Sequence, residues 1–174
     1  NTTKKSLIGW NYAGGSARED INDNLSVLRQ RSRDLYMGVP IATGAVKTMR
    51  TNVVGRGLML KPTVDAEVLK LTAAQAQQLE KEITREWALW AESPDCDMAR
   101  IDNFYELQQL AFLNWLASGD TLVLLPTKKR KNQPYDLRVQ LVEADRLSSP
   151  NNFDTFDNQI VGGVEVDKDG EVVA

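Results

Sequence analysis

Residues 41–62, IATGAVKTMRTNVVGRGLMLKP, set a Gly-x-Gly among basic side chains. That combination cradles a phosphate when backbone amides and the positive end of a helix face the anion. The order of elements argues against such chemistry. Phosphate-binding glycines follow a strand and open a helix, whereas Gly55 stands at the C-terminal side of a helical pattern and Gly57 precedes the strand-like LMLKP. A phosphate here would meet the negative helix end, and no G-K-[ST] follows. The glycines are read as a helix stop and a bend.

Acid–base chemistry is restricted by composition, because the chain contains no histidine, the side chain whose ordinary pKa suits proton transfer near neutrality. Serine and cysteine triads lose their usual base, and zinc sites lose their commonest nitrogen ligand. Carboxylates remain. Pro94 and Asp95 resemble the opening of a metal-dependent nuclease signature, P-D…(D/E)-x-K, but no Asp or Glu is followed two residues later by Lys. Asp120, Glu143 and Asp145 lie near expected strand ends and are the candidates for convergence on a metal; they carry the alternative of a metal-dependent DNA-processing enzyme. The DKDG near the end of the sequence lacks the spaced oxygens and closing Glu of a calcium loop and is read as a hairpin turn. Cys96 has no cysteine partner and no nearby base, so neither a disulfide nor a catalytic thiol is assigned. No catalytic residue, cofactor or metal site is expected.

Lys128, Lys129, Arg130 and Lys131 are consecutive cations between two strand-like segments. At a hairpin tip they can reach phosphates or an acidic partner without burying charge, which carries a second alternative, a nucleic-acid-binding module. They equally well keep an edge strand soluble.

The elements that position these residues are legible from periodicity. Ser16 and Glu19 have capping-box spacing, followed by a stripe of Ile21, Leu25, Leu28, Ser32 and Leu35 that is expected to be buried, with a basic face outside. Gly38 is expected to end that helix in a left-handed conformation, with Pro40 in the first turn of the next. There Ile41, Ala45, Met49 and Val53 form one row. Thr72 and Gln75 open a further helix whose apolar stripe is Ala76, Leu79, Ile83, Trp87 and Trp90. The acidic surroundings of the two tryptophans favour core packing over base stacking. After the polar connection SPDCDMARID, Asn103 and Glu106 cap a helix that is apolar around much of its circumference and is expected between layers, closed by Gly119. DTLVLLP reads as a buried strand. YDLRVQLVE reads as its hairpin partner, with Leu137, Val139 and Leu141 on one face and Arg138 and Gln140 on the other. GGVEVDKDGEVVA reads as a last hairpin whose second arm is cut short, as if the chain originally continued past Ala174, and the missing initiator Met suggests trimming at the front.

At 174 residues, 42% apolar and 26% charged, the composition is that of a soluble globular chain, and the length suits one domain, residues 1–174. No apolar run approaches the roughly 18 residues of a membrane span, and a single cysteine fits a reducing cytosol. The net charge of −3 conceals an asymmetry: residues 1–61 carry ten Lys/Arg and four Asp/Glu, a net +6, whereas residues 62–174 carry eleven and twenty, a net −9. Such halves can guide a charged partner to one side, dock identical subunits head to tail, or simply be two solvated surfaces. The elements together give an α+β fold, long amphipathic helices packed on a small antiparallel sheet of hairpins.

In their types and order, four segments resemble the lambda-like family of tailed-phage portal proteins: SRDLYMGVPIATGAVKTMRTNVVGRGLML, FYELQQLAFLNWLASGDTLVLLP, YDLRVQLVEADRLSSP and GGVEVDKDGEVVA. The resemblance covers nearly the whole chain. It implies a ring of identical subunits, usually twelve, at one capsid vertex of the virion, assembled in the host cytoplasm, with double-stranded DNA passing through a central tunnel. It implies docking of the terminase, which hydrolyses the ATP, and later of capsid and head–tail connector proteins, and it implies no enzyme activity and no membrane. The chain corresponds to a wing-like part of such a subunit, with stem helices, clip and tunnel loop falling beyond it. In that frame Trp87, Trp90 and Trp115 are expected to anchor the core, while unlike-charged faces pack neighbouring subunits around the rotation axis.

Overall fold

The structure, a computed structural model, describes Ile21 and residues 24–147, 158–161 and 164–173. The expected cap at Ser16 and Glu19 lies outside them. Among the described residues four long helices come first: α1 (Leu25–Gly38), α2 (Pro40–Val53), α3 (Ala73–Ala91) and α4 (Phe104–Ser118). Four short strands follow: β1 (Thr121–Leu124), β2 (Gln140–Glu143), β3 (Asn158–Val161) and β4 (Val164–Asp167). This is the α+β order read from the sequence. Where the length argues for one domain, the chain divides into two compact units, residues 1–31 with 148–174, and residues 32–147.

In the unit of residues 32–147, helix starts are set by local chemistry. The Thr72 hydroxyl accepts from the Gln75 amide while the Gln75 side chain accepts from the Thr72 amide, so two amides without an intrahelical partner are satisfied. Asn103 and Glu106 repeat the arrangement at α4. Pro40 occupies the first turn of α2, where a missing N–H costs nothing. Gly119 ends α4 at φ +87°, its amide returning 2.9 Å to the Trp115 carbonyl. Gly38 differs from expectation: it stays within α1 and has no left-handed backbone, because Val39 in an extended conformation makes the corner.

The core sits where the end of α3 meets the start of α4. Trp90, Ala91, Cys96, Leu107 and Val139 are buried, and Trp87, Phe104, Tyr105, Tyr135 and Leu141 pack against them. Trp87, Trp90 and Phe104 form a triangle with ring centroids 5.1–5.2 Å apart, the Trp87–Phe104 pair edge-to-face at 86°. Such aromatic pairs contribute about 0.5–1.5 kcal/mol each beyond the area they bury. The Trp90 indole donates 3.0 Å to the Leu137 carbonyl, tying α3 to the strand that leads into β2.

The β1–β2 hairpin is antiparallel, from Thr121 opposite Glu143 to Leu124 opposite Gln140, and continues toward its loop through a Thr127–Leu137 bridge. β1 is not the buried strand expected, since Val123, Leu124 and Leu125 are exposed. Helix α4 packs on α2 and on the β1–β2 sheet, but Leu110 and Trp115 face outward, so it is covered on fewer sides than its apolar circumference suggests. In the other unit, β3 pairs antiparallel with β4, and Val166 bridges Val172 across the DKDG turn, with Gly170 at φ +85°. The turn is the one read from sequence; the β3 strand was not.

Candidate functional site

The cation run does not form a uniform basic tip. Lys128, Lys129 and Lys131 are exposed, but the Arg130 side chain is only 9% exposed and turns inward. Its Nη1 donates to the carbonyls of Asp95 (3.2 Å) and Asp97 (3.3 Å), its Nη2 to those of Asp97 (3.3 Å) and Met98 (2.9 Å), and the Asp95 carboxylate lies 3.5 Å away. Arg130 is therefore removed from the expected phosphate-contacting set. A planar guanidinium serves several carbonyls at once, which a lysine ammonium on a flexible stem does not match.

The segment that Arg130 grips was read only as a polar connection, yet it is a folded node. Pro94–Cys96 make one turn of 3-10 helix. Buried Asp97 accepts from the amides of Ala99 and Ile101, each at 3.0 Å, and of Asp102 at 3.4 Å. The Val139 amide donates 2.7 Å to the Cys96 carbonyl, and the Met98 amide donates 2.9 Å to the Val139 carbonyl. Asp95 is further held by Arg100 at 3.0 Å and by the Gln133 side chain. Replacing Arg130 with methionine strips donors from three carbonyls and should cost about 2–3 kcal/mol in urea unfolding. Neutralising Lys128, Lys129 or Lys131 should stay within about 0.5 kcal/mol.

Arg138, expected on the outer polar face of its strand, is instead 1% exposed. The strand is engaged on both edges here, the Arg138 amide bonding to the Pro126 carbonyl at 2.9 Å and Val139 to the Cys96 turn, so the alternating pattern does not give an outer face. Arg138 Nη1 donates 3.0 Å to the Leu137 carbonyl, while Nε and Nη2 have no hydrogen-bond partner among the described residues. Cys96, buried beside it, has its thiol pushed up to about 11, by burial first and by the Asp97 charge second. A thiol so held is inert. A disulfide-exchange reagent at pH 8 should leave Cys96 unreacted in the folded chain and modify it fully in denaturant.

The carboxylate candidates are not drawn into a metal site. Among the described residues no group of three or more Asp, Glu, Cys or His side chains is arranged to hold a metal ion. Glu143 pairs in register with Thr121 and is exposed, as is Asp120, whereas Asp145 forms a salt bridge with Arg33.

The glycine bend is engaged by protein. The Gly55 amide donates 3.1 Å to the Arg50 carbonyl and the Gly57 amide 2.9 Å to the Val54 carbonyl, which consumes the groups an anion would need. Gln109 donates 2.9 Å to the Gly55 carbonyl, and the Gln108 side chain both accepts from the Leu58 amide (2.6 Å) and donates to its carbonyl (3.3 Å). Gly57, at φ +105°, lies directly against Tyr105. The strand-like LMLKP follows as irregular chain without a strand partner among the described residues.

The most extensive feature is uncovered apolar surface. The row Ile41, Ala45, Met49 and Val53 on α2 faces outward, with Ile41 86% exposed and Met49 and Val53 also exposed; α2 has no buried residue. In α1, Leu28 and Leu35 are exposed while Arg29 is buried, the reverse of the expected stripe, and Ile21 ahead of the helix is exposed too. Of the three expected core anchors, Trp90 is buried and Trp87 packs beside it, but Trp115 is 53% exposed and touches Phe112 (centroids 5.7 Å) outside the main cluster. Single exposed apolar residues are ordinary; contiguous ones mark an interaction surface. No helix among the described residues is long and apolar enough to cross a membrane.

The family model described as phage portal protein, lambda family, matches residues 3–174. Comparison with curated proteins gave no match.

Proposed function

Since the chain belongs to the lambda family of phage portal proteins, we propose that it forms the outer, wing-like part of a ring at one capsid vertex. DNA enters through that ring during packaging and leaves through it on ejection. Terminase and the head–tail connector proteins dock on it in turn. The chain works by shape and charge: it supplies surfaces and rigidity, and the chemical work of packaging belongs to its partners.

The observation that carries this reading is the pairing of the family match with the outward-facing apolar residues of α2 and α4, which a subunit of an assembly covers with its neighbours. Within the same proposal, Lys128, Lys129 and Lys131 make backbone contacts to nucleic acid or to an acidic packaging partner. Changing all three to glutamine should weaken DNA binding by the assembled ring and reduce its salt dependence by about one unit of slope per lost phosphate contact.

The test is capsid assembly with and without the intact protein. Particles made with it should carry the chain at a single vertex and protect packaged DNA from nuclease; particles made without it should remain empty. A chain distributed over all vertices, or packaging that proceeds in its absence, contradicts the proposal. Incubation of the pure chain with plasmid DNA and Mg²⁺ or Mn²⁺ separates the enzymatic alternative. Nicking that disappears in Asp120→Ala would favour a DNA-processing enzyme over a structural subunit.

A further inference from the structure

We propose that the groove beside α3 receives the outward face of α2 from a second copy of this chain, a head-to-tail contact repeated around the ring. This rests on the assembly reading above and identifies the two surfaces that meet.

The groove has a volume of about 670 Å³ and runs along α3 against the segment carrying Tyr135 and Leu137. Its floor is the row Leu79, Ile83 and Trp87, and its rim carries Glu82, Glu86 and Asp136. The rim is built and not merely solvated. The Tyr135 hydroxyl donates to Glu86, fixing that carboxylate at the edge of the groove and holding its pKa below the usual carboxylate range, with Arg85 adding to the effect. The Trp87 indole N–H is buried without an acceptor among the described residues, a donor that an incoming backbone carbonyl or hydroxyl would satisfy. The site is thus apolar at its base, acidic at its edge and short of one acceptor. It calls for a basic, apolar element carrying hydroxyls.

Helix α2 has that composition. Residues 35–64 contain Lys47, Arg50, Arg56 and Lys61 and no acidic residue. The helix packs on α4 with one side, while Ile41, Ala45 and Met49 lie along one edge of its outward face, Lys47 along the other, and Gly44 and Thr48 between them. An added Cβ at Gly44 would meet nothing within 4 Å, so the middle of that face is open to close approach.

The two rows also match in length. Ile41, Ala45 and Met49 on one copy and Leu79, Ile83 and Trp87 on the other are both spaced by four residues, each spanning about 12 Å at the 1.5 Å helical rise. Ridges of that spacing interdigitate in the commonest class of helix packing. Apolar contact supplies the affinity, and Lys47 against the acidic rim sets partner and register, since exposed ion pairs contribute little energy by themselves. The surface that donates differs from the one that accepts. The contact is therefore heterologous and propagates from copy to copy until rotation closes a ring.

The test uses the chain with one cysteine added per copy, Met49→Cys in one preparation and Ile83→Cys in another; buried Cys96 does not compete. Mixed under mild oxidation, the two should give a disulfide-linked heterodimer, and neither alone should. Adding Glu82→Lys and Glu86→Lys to the acceptor copy should lower the yield roughly fivefold, and Lys47→Glu in the donor copy should restore it. Leu79→Cys, one turn away, serves if Ile83→Cys disturbs folding, which circular dichroism reports. Sedimentation of the complete protein, without added cysteines, distinguishes the failures. Complete copies that associate without the cross-link overturn the groove pairing alone, whereas complete copies that do not associate overturn the pairing and the assembly reading together.

Discussion

Trp90→Ala should destabilise the unit of residues 32–147 by about 3–5 kcal/mol, the range for removing a buried tryptophan from a packed core. Three losses coincide at this side chain. The triangle with Trp87 and Phe104 loses a vertex, the Leu137 carbonyl loses the indole donor, and the space between α3 and α4 is left partly empty. A change of this size lowers the melting temperature of a chain of this length by roughly 6–20 °C. Trp90→Phe separates the contributions. It keeps a ring in place, and the Leu137 carbonyl retains Arg138 as a donor, so the cost should fall to about 1–2 kcal/mol. Urea unfolding followed by tryptophan fluorescence and by far-UV circular dichroism checks both variants; a loss below about 1 kcal/mol for Trp90→Ala would remove this cluster from the core.

Gly57→Ala should cost about 3 kcal/mol, for two reasons that act together. At φ +105° an L side chain is strained, by about 1–3 kcal/mol. The new Cβ would also stand 2.5 Å from Cβ and Cδ1 of Tyr105, and Cβ is not the far end of a flexible side chain that can swing aside. Either the bend or the first turn of α4 must move, which breaks the two-point contact of Gln108 with Leu58. Ala at Gly44, where an added Cβ has open space, is the matched control and should be neutral or slightly stabilising, by up to about 1 kcal/mol. Equal effects at the two positions would show that the bend is not held by close approach to Tyr105.

These residues also mark where sequence reasoning succeeds. The caps at Thr72 and Asn103, the stop at Gly119 and the DKDG turn depend on groups a few positions apart, so short-range chemistry specifies them. The ends of the stripe, Ala76 and Trp90, were legible because α3 buries them within this chain, whereas Leu79, Ile83 and Trp87 between them are only partly buried. The same reasoning failed on α1 and at Trp115. Periodicity tells that an apolar face wants cover, but not whether the cover comes from its own chain or from a neighbour. Arg130 and Arg138 failed for a related reason. Their spacing is that of an exposed loop and an alternating strand, and only the fold of residues 93–102 beneath them supplies the carbonyls and the enclosure. The one local signal was Asp97 within a cluster of turn formers, a residue that commonly organises nearby amides.

The candidate site was legible mainly by exclusion. Gly55 and Gly57 were correctly placed at the wrong end of a helix for phosphate, and their amides are bound to the carbonyls of Arg50 in α2 and of Val54 just past it. What distinguishes this chain is the quantity of apolar side chain left facing outward, from Ile41 on α2 to Trp115 on α4. A subunit that works through contact needs such faces, and it needs the stiff node around Asp97 and Arg130 to keep them in fixed relation. Chemistry at a catalytic centre is not required for that role.

The most direct measurement of this account is a three-dimensional map of the portal vertex assembled from the complete protein. It should show a closed ring of identical subunits in which Ile41, Met49 and Trp115 are covered, with α2 of each subunit lying along α3 of the next. A vertex lacking this chain, or a ring in which those side chains remain in solvent, would contradict it.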